Sequence, residues 1–386
     1  MKHFVSKIPL HSLCLLGMAL LFSIPYRVSL WVQPAWLAYL GLTLGLCVLF
    51  GLFLCPTAPV KTPLTLRKYW LWVYVALLAV PRIYWMFRYP VAAEYGDMLP
   101  LIQLAGERFL DGGFPYTEYQ LPWPLPLTFF PGLWMSYLPA LSLGLDPRWV
   151  GLGCTLGCGM LLFKLSQTRL SLGVLLVFAL LPVFTFFTVN GHTPPFWLML
   201  CGFGFCSLRA MPLRAAACLG LALASRQTAL ILFPFAVLGW WRAYGLRGSL
   251  KPVLVTVGIV AVFCLPFFLI DADAFLLEPI RHYKELAQAY QQGAGDPSHL
   301  LDTFGFANIA YVTGTTGWLS WMRLGVWGLG LLGCLTFAKT PADHLRWMAV
   351  TALFFTLFTP VPWIYAYFPF WILACTAPYE PVAATR

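Results

Sequence analysis

The sequence predicts an all-α protein that crosses a membrane many times, and three observations point to this fold class. Hydrophobic residues make up 60% of the chain and charged residues only 10%. Apolar runs long enough to cross a hydrocarbon core of about 30 Å recur along almost its whole length. No polar stretch is long enough to form a separate soluble domain. We therefore expect a single transmembrane domain over residues 1–386.

The hydropathy pattern predicts a bundle of about 11–13 transmembrane helices, of which the first is a retained N-terminal span. The short loops between the spans contain most of the Lys and Arg residues, and this distribution places both termini in the cytoplasm. The net charge of +10 therefore indicates orientation in a membrane and does not predict binding of nucleic acid. The candidate spans lie at roughly 9–26, 34–55, 67–87, 149–163, 171–188, 194–209, 213–225, 228–242, 252–270, 317–338, 345–359 and 363–377.

Two long loops are expected on the outer side of the membrane, at 88–148 and 271–316. The first loop contains six prolines within residues 122–147. Because proline interrupts helices and removes backbone donors, residues 123–145 are expected to form interfacial helices rather than a span. In the second loop, residues 275–292 have the pattern of an amphipathic helix. Most of the polar chemistry of the molecule is therefore expected on one side of the membrane.

Asp97 is the leading candidate for a catalytic residue. It follows the third predicted span and precedes an amphipathic run, in a loop rich in carboxylates. Carboxylates beside a membrane are costly to maintain, and one at this boundary could deprotonate an acceptor hydroxyl as a general base. The alternative is that Asp97 caps the helix that follows it. Nearby Glu94 either shares a metal or tunes the proton affinity of Asp97, or it is a solvated loop residue.

The order of motifs around Asp97 adds a second line of argument. Asp97 comes soon after a span and is followed by a small residue, Ala105, in a predicted helix. A Gly-x-x-Pro-Tyr pattern comes next, formed by Gly112 or Gly113, Pro115 and Tyr116. A proline-rich stretch with Pro122, Pro124 and Pro126 follows. A polar turn at Asn190–His192 and a small-residue helix ending before Arg226 come later. Over residues 67–245 this arrangement resembles the GT-C integral-membrane glycosyltransferases, especially their polyprenyl-phosphate-sugar-dependent, mannosyltransferase-type branch.

The resemblance implies a membrane glycosyltransferase. Such an enzyme moves a sugar (a hexose, mannose-like, or a pentose) from a polyprenyl-phosphate donor to a lipid-linked or glycan acceptor, usually with inversion, at the outer face of the cell membrane. Asp97 would be the base, and Arg226 would bind the donor phosphate, since Arg offers a permanent and bidentate charge. The family usually has Lys-Pro where this chain has Arg226 and Gln227. The alternative for Arg226 is a side chain that snorkels at a helix end.

Other polar residues of the outer loops complete the predicted site. Arg281 and Lys284 are further phosphate-binding candidates, or alternatively the solvated face of an amphipathic helix. Tyrosines near a membrane also serve as interfacial belt residues, and a histidine at a helix end is often structural. No cluster with metal-ligand spacing occurs, so no metal site is predicted, while a need for a divalent ion stays open. The expected substrate groove comprises Glu94, Tyr116, Glu118, Tyr119, Asn190 and His192.

Two other classes of function stay open on the sequence. A transporter or flippase for lipid-linked glycan would also be polytopic, but transporters often show ionisable residues near the mid-membrane and interrupted helices in matching halves. Here the charged residues concentrate in the outer loops, and the two halves look dissimilar. The third class is a non-catalytic assembly partner with the same scaffold, and the departure from Lys-Pro at Arg226–Gln227 is compatible with it.

Overall fold

The computed structural model describes residues 67–165, 182–291, 314–359 and 368–376, with isolated positions at 14, 45, 48, 49, 51, 306 and 310. This part of the chain is helical almost throughout and contains one two-stranded sheet. The predicted spans 9–26 and 34–55, most of 171–188, much of 363–377 and most of the stretch 292–313 lie outside the described residues.

The regular elements follow one another in chain order. The helices are α1 (Arg67–Arg88), α2 (Met98–Leu110), α3 (Pro131–Trp134), α4 (Leu138–Ser142), α5 (Arg148–Leu165), α6 (Pro182–Val189), α7 (Pro194–Leu208), α8 (Pro212–Leu223), α9 (Phe233–Ile270), α10 (Glu278–Gln291), α11 (Leu319–Phe337), α12 (Pro341–Leu357) and α13 (Phe368–Thr376). The strands are β1 (Glu118–Gln120) and β2 (Pro124–Pro126). Short 3-10 turns occupy Met135–Tyr137, Gln227–Leu232 and Thr316–Trp318, and a π-helical turn occupies Asp273–Leu277.

Among the described residues, three helical stretches are long and apolar enough to cross a membrane, namely Tyr69–Arg88, Gln227–Ile270 and Thr316–Phe337. Helices α7 and α8 are shorter and also apolar. The prediction of a helical membrane protein is confirmed at this level, and the number of spans stays a prediction.

The chain divides into two compact units. One consists of Met1–Arg67, Lys164–Phe178 and Lys284–Arg386, and the other of Lys68–Phe163 and Ala179–Tyr283. We call the latter the site unit, because it holds all of the predicted site residues except Lys284.

The described part of the unit that contains Lys284 includes the end of α10 and the helices α11, α12 and α13. Helix α12 starts with a capping box, in which the Thr340 hydroxyl accepts from the Asp343 amide and the Asp343 carboxylate accepts from the Thr340 amide. Helices α11 and α12 pack closely, because a Cβ atom on Gly330 would clash with Thr351. Small residues allow such close helix contacts in membrane proteins.

Helix α9 reverses direction at Gly245. This residue has φ 70° and ψ 176°, a backbone conformation that favours glycine. A straight helix of this length would extend about 57 Å. Instead, the segment before α9 and the C-terminal part of α9 contact the same part of the first loop. Before the helix, the Phe130 amide donates to the Ser225 carbonyl at 3.2 Å. Near its C-terminal end, the Phe267 ring lies 5.7 Å from the Trp134 ring. The sequence places a break between two spans at 243–251, and Gly245 falls within it.

Helix α2 forms as the sequence predicts. Its apolar positions Leu99, Ile102 and Ala105 recur at helical spacing and are all buried. The helix ends at Gly112, whose φ of 81° suits a C-terminal turn, and the following amide of Gly113 donates to the Arg108 carbonyl at 2.8 Å. This amphipathic helix fixes Asp97, the residue before its first turn, against the rest of the site unit.

The remainder of the first loop differs from the expectation of interfacial helices alone. Residues 118–126 form an antiparallel hairpin, with Tyr119 opposite Leu125. The prolines of β2 explain the difference, because proline is excluded from helix interiors and is tolerated in an edge strand. The helices of the 131–142 stretch that follow have at most five residues, so no helix of spanning length occurs there.

The two ends of the first loop meet. Arg148, at the start of α5, donates to the carbonyl of Tyr89 at 2.5 Å, just after the end of α1. The same guanidinium forms an ion pair with Asp146 at 2.5 Å and is only 6% exposed. The chain therefore leaves α1 and enters α5 at one place, and residues 89–148 form an excursion whose two ends are in contact.

The beginning of the second loop folds back onto the first. The amphipathic helix expected over 275–292 forms as α10, and the π-helical turn before it moves its start to Glu278. Phe275, in that turn, is buried and packs against Tyr116 and Phe130, with ring centroids 4.9 and 5.1 Å apart. This contact brings the N-terminal end of α10 to the first loop.

Candidate functional site

Asp97 is half-buried at the position that precedes α2. Its side chain makes no capping hydrogen bond to the first turn of that helix. The indole of Trp123 and the backbone amides of Asp97 and Met98 lie near the carboxylate and favour its ionised form. The carboxylate is therefore held near the helix start without acting as an ordinary cap, which weakens the alternative reading of this residue.

Burial raises the pKa of the Asp97 carboxyl above its ordinary value, because loss of solvent disfavours the charged form. The hydrogen bond from Trp123, the two amides and the attraction of His282 lower the pKa, and their combined effect is smaller than that of burial. A carboxylate with a raised pKa is a better proton acceptor once ionised. His282, on α10, thus becomes a neighbour of Asp97 through the packing of the second loop on the first.

The loop that carries Asp97 is pressed against the turn between α6 and α7. A Cβ atom on Gly96 would lie 2.9 Å from the carbonyl oxygen of Asn190. Such an approach requires glycine, because a larger residue would push the two backbones apart. Gly96 therefore fixes Asp97 beside the turn 190–193, which contains the predicted groove residues Asn190 and His192.

His192 lies inside this turn and is 2% exposed. Its ring packs on Phe129 with centroids 4.2 Å apart, and its carbonyl accepts a hydrogen bond from the Tyr137 hydroxyl at 3.1 Å. Burial and, secondarily, the charge of Arg226 lower the pKa of His192 well below its ordinary value. The imidazole is therefore neutral at physiological pH and offers hydrogen bonds without a charge.

Arg226 also lies over the Phe129 ring. Its guanidinium carbon is 5.4 Å from the centroid of Phe129 and 6.0 Å from that of Phe196, within the range of cation–π attraction. The adjoining backbone is fixed to the first loop, since the Gly132 amide donates to the Ala224 carbonyl at 2.8 Å. The segment between α8 and α9 therefore presents a positioned guanidinium beside the 190–193 turn.

Gln227 connects the α8–α9 segment to the first loop. Its side-chain amide donates to the Thr128 carbonyl at 3.1 Å. This contact holds the Arg226 segment in place.

The two tyrosines of the predicted groove are interior residues instead. Tyr116 is 3% exposed, and its hydroxyl donates to the Phe129 carbonyl at 3.0 Å and accepts from the Trp134 indole at 3.2 Å. The Tyr119 hydroxyl donates to the Pro115 carbonyl at 2.7 Å. Burial raises the pKa of both phenols. The sequence predicts both rings as sugar contacts, but they pack inside the 114–134 stretch, where the Tyr116 hydroxyl holds the Phe129 carbonyl.

The remaining candidates are exposed side chains, and two of them are already paired. Glu94 is exposed, and exposed Glu118 accepts from the neighbouring Gln120 amide at 3.0 Å. Arg281 is about half exposed and forms ion pairs with Asp273 at 3.2 Å and Glu278 at 2.5 Å. Lys284 is exposed and belongs to the other unit. Arg281 is thus a weaker phosphate-binding candidate than Arg226, because two carboxylates already compensate its charge.

Within the described residues, no group of three or more His, Cys, Asp or Glu side chains could hold a metal ion. Comparison of the chain with models of protein families, with characterised proteins and with solved structures finds no match. The site must therefore be judged from its own geometry.

Trp123, Phe129 and His282 are site residues that sequence reasoning missed or left outside the site. Trp123 sits among prolines and Phe129 in an apolar run, so neither stands out by residue type. His282 belongs to a basic cluster in the second loop. Its position near the start of a predicted amphipathic helix is the sequence feature that could have identified it as a site residue. Only the packing of Phe275 on the first loop connects it with Asp97.

Proposed function

We propose that the protein is a membrane glycosyltransferase that moves a sugar from a polyprenyl-phosphate donor to a lipid-linked or glycan acceptor at the outer face of the cell membrane. The observation that carries the proposal is the arrangement around the 190–193 turn. A carboxyl group with a raised pKa and a guanidinium seated on aromatic rings are both fixed to this one turn, through Gly96 and through His192. These are the two charges that the reaction needs.

In the proposed reaction Asp97 is the general base. Its carboxylate takes the proton of the acceptor hydroxyl while the acceptor oxygen forms a bond to the anomeric carbon of the sugar. The bond between that carbon and the phosphate oxygen breaks, and its electron pair leaves with the lipid phosphate. Attack on the face opposite to the leaving group inverts the anomeric configuration. Trp123 and His282 hold and stabilise the ionised carboxylate before the proton transfer.

Arg226 stabilises the other end of the reacting system. Negative charge accumulates on the phosphate as the glycosidic bond breaks, and a guanidinium can donate two parallel hydrogen bonds to its oxygens. The guanidinium lies over the faces of Phe129 and Phe196, and these contacts orient it. Asp97 and Arg226 are each next to the turn 190–193, and the proposal requires a sugar ring to fit between its acceptor at Asp97 and its phosphate at Arg226.

Replacement of Asp97 by Asn tests this proposal. Purified wild-type protein should release or transfer sugar from at least one member of a panel of polyprenyl-phosphate sugars, and Asp97→Asn should lower the rate by about 10²–10⁴-fold while donor binding persists. Asp111→Asn is the matched control, because Asp111 is an exposed carboxylate of the same loop and should leave the rate unchanged. Transfer that survives in Asp97→Asn would remove the base from Asp97.

The same experiment separates the competing classes. A wild-type protein that transfers no sugar from any donor, but moves lipid-linked glycan across proteoliposome membranes, would be a transporter. One that does neither would be a non-catalytic partner.

The stability of Asp97→Asn provides an internal check on folding. Because the folded-state pKa is raised, ionisation of Asp97 costs stability as the pH rises through that pKa, so the Asn variant should melt at the same or a higher temperature at pH 7.

A further inference from the structure

The second half of α9 carries two exposed cations, Arg247 and Lys251. This half follows the reversal at Gly245 and stays helical to Ile270. Residues four positions apart in a helix are neighbours on one face, with Cβ atoms about 6 Å apart. Because both side chains are long and reach into open space, the guanidinium and the ammonium group can contact one anion together.

The direction of these two side chains follows from the packing of α9 on α8. The Thr256 hydroxyl donates to the Ala216 carbonyl of α8 at 3.1 Å, and Ser249 and Pro252, on the same face of α9 as Thr256, are buried as well. Arg247 precedes Thr256 by about two and a half turns, so it lies on the opposite side of the helix. Lys251 follows one turn after Arg247. Both cations therefore lie on the outward face of α9.

No carboxylate of the chain compensates these two charges. There is no Asp or Glu between Asp146 and Asp271. Within the part of the chain that the structure describes, the side chains of Arg247 and Lys251 form no ion pair or hydrogen bond. They also lie near the N-terminal start of a helical segment, where the macrodipole favours an anion and disfavours a cation. The electrostatics therefore favour an anion supplied from outside the chain.

The outward face of α9 continues beyond the cations as an apolar surface. Leu254, Val262, Leu265 and Leu269 lie on this side of the helix and are all exposed. They belong to a helical stretch that is long and apolar enough to cross a membrane. A ligand that matches the whole face therefore has an anionic group at one end and hydrocarbon after it.

The corner before the cations has the composition of a water–lipid boundary. Trp241 and Tyr244, just before Gly245, are both exposed. Aromatic side chains of these two types concentrate at the level of lipid headgroups. Arg247 and Lys251 follow within two turns, so we place them at the depth of the lipid phosphates.

We propose that Arg247 and Lys251 bind the phosphate headgroup of an anionic phospholipid, whose acyl chains lie along the outward face of α9 over residues 254–269. A lipid matches this surface better than a soluble anion, because the cations and the apolar face are continuous. The corner lies at the end of the α9 hairpin away from the first loop, so the lipid belongs to the leaflet on the other side of the membrane. The site does not depend on the proposed function.

Competitive lipid binding tests the site. Detergent-solubilised full-length protein is mixed with equal amounts of phosphatidylglycerol and phosphatidylcholine that have the same acyl chains, and native mass spectrometry counts the bound lipids. Wild type should bind phosphatidylglycerol about 10–30-fold more tightly than phosphatidylcholine, since two cations lie at the headgroup. In Arg247→Gln/Lys251→Gln the preference should fall to less than about threefold. A wild type without a preference, or a double variant that keeps it, would overturn the proposal.

Arg209→Gln/Arg214→Gln is the matched control, because it removes the same net charge from the turn between α7 and α8. Arg209 lies over the Phe205 ring at 5.6 Å, and Arg214 donates to the Met211 sulfur at 3.5 Å. Neither residue belongs to the outward face of α9. This variant should change the preference by less than about twofold. An equal loss in both double variants would show that only the total charge attracts the lipid, which would overturn the site.

Two further measurements complete the test. Lys251→Gln alone should lower the preference by about threefold to fivefold, and it provides the evidence if the double variant does not fold. Inorganic phosphate in large excess should not displace phosphatidylglycerol from wild type, because it has no hydrocarbon to cover the apolar face. Displacement by phosphate would assign the two cations to a soluble anion and would overturn the lipid site.

Discussion

The surroundings of Arg226 and Arg281 differ in kind, although the sequence predicts phosphate binding for both. Arg226 is half-buried and lies over two aromatic rings on a segment fixed by backbone hydrogen bonds. Arg281 is about half exposed and lies between Asp273 and Glu278. Aromatic faces orient a guanidinium through cation–π attraction, whereas carboxylates compensate its charge. A cation in a polar loop is therefore a poorer indicator of anion binding than a cation supported by apolar residues.

The largest expected effect comes from removing each cation in turn. Arg226→Met should lower kcat/KM for transfer from a polyprenyl-phosphate sugar by about 100-fold, because the developing phosphate charge loses its partner. Arg281→Met should change kcat/KM by less than about twofold, as expected for an exposed ion pair. Steady-state kinetics on both variants measures the difference. Equal losses of kcat/KM in the two variants would show that Arg226 and Arg281 do not differ in their contribution to transfer.

The supports of the two cations should also differ in their effect on stability. Gln227→Leu removes the hydrogen bond to the Thr128 carbonyl and leaves that buried acceptor unpaired, which should cost about 1–2 kcal/mol in the free energy of unfolding. Denaturant titration of the detergent-solubilised protein measures it. A Gln227→Leu variant as stable as wild type would show that this contact does not hold the Arg226 segment.

The pH dependence of the rate sharpens the role of the second loop. Transfer should require ionised Asp97, so the acid limb of the kcat/KM profile should lie above the ordinary Asp range of about 4. His282 lowers the pKa of Asp97, so His282→Gln should raise it further and move the acid limb to higher pH. Arg281→Gln, one residue away but paired with its own carboxylates, should leave the limb in place. An acid limb that does not move would exclude His282 as a partner of the base.

The smallest effect is expected within the Arg281 cluster itself. Glu278→Gln breaks an exposed ion pair three residues apart on one helix, which should change the free energy of unfolding by less than about 0.5 kcal/mol. The same denaturant titration provides the value. A loss as large as that of Gln227→Leu would mean that the cluster holds α10 against the first loop.

Sequence reasoning located Asp97, Asn190, His192 and Arg226 because each is a polar residue at a predicted helix end in an apolar chain. Such residues can be recognised from the sequence alone, because burying a charged group in an apolar environment is costly and such residues are therefore rare. The break at Gly245 was visible for the same reason, because two apolar runs flank a basic stretch. The helical class followed from composition alone.

The rest depends on contacts between distant segments, which hydropathy and periodicity do not report. Phe129 is one aromatic residue among many, and only its position between His192 and Arg226 distinguishes it. Tyr116 looks like a carbohydrate contact, but packing with Phe267 and Phe275 places it inside. The hairpin at 118–126 was missed because prolines in a short segment are equally compatible with turns, strands and helix starts.

The reversal at Gly245 has a practical consequence for imaging. Residues 241–248 are all exposed, and a Cβ atom on Gly245 would meet nothing within 4 Å. Both helices that leave this corner lead back to the first loop, so the corner lies at the far end of the hairpin from the residues of that loop. A small folded protein inserted there would serve as a fiducial for single-particle electron microscopy without covering the proposed catalytic site.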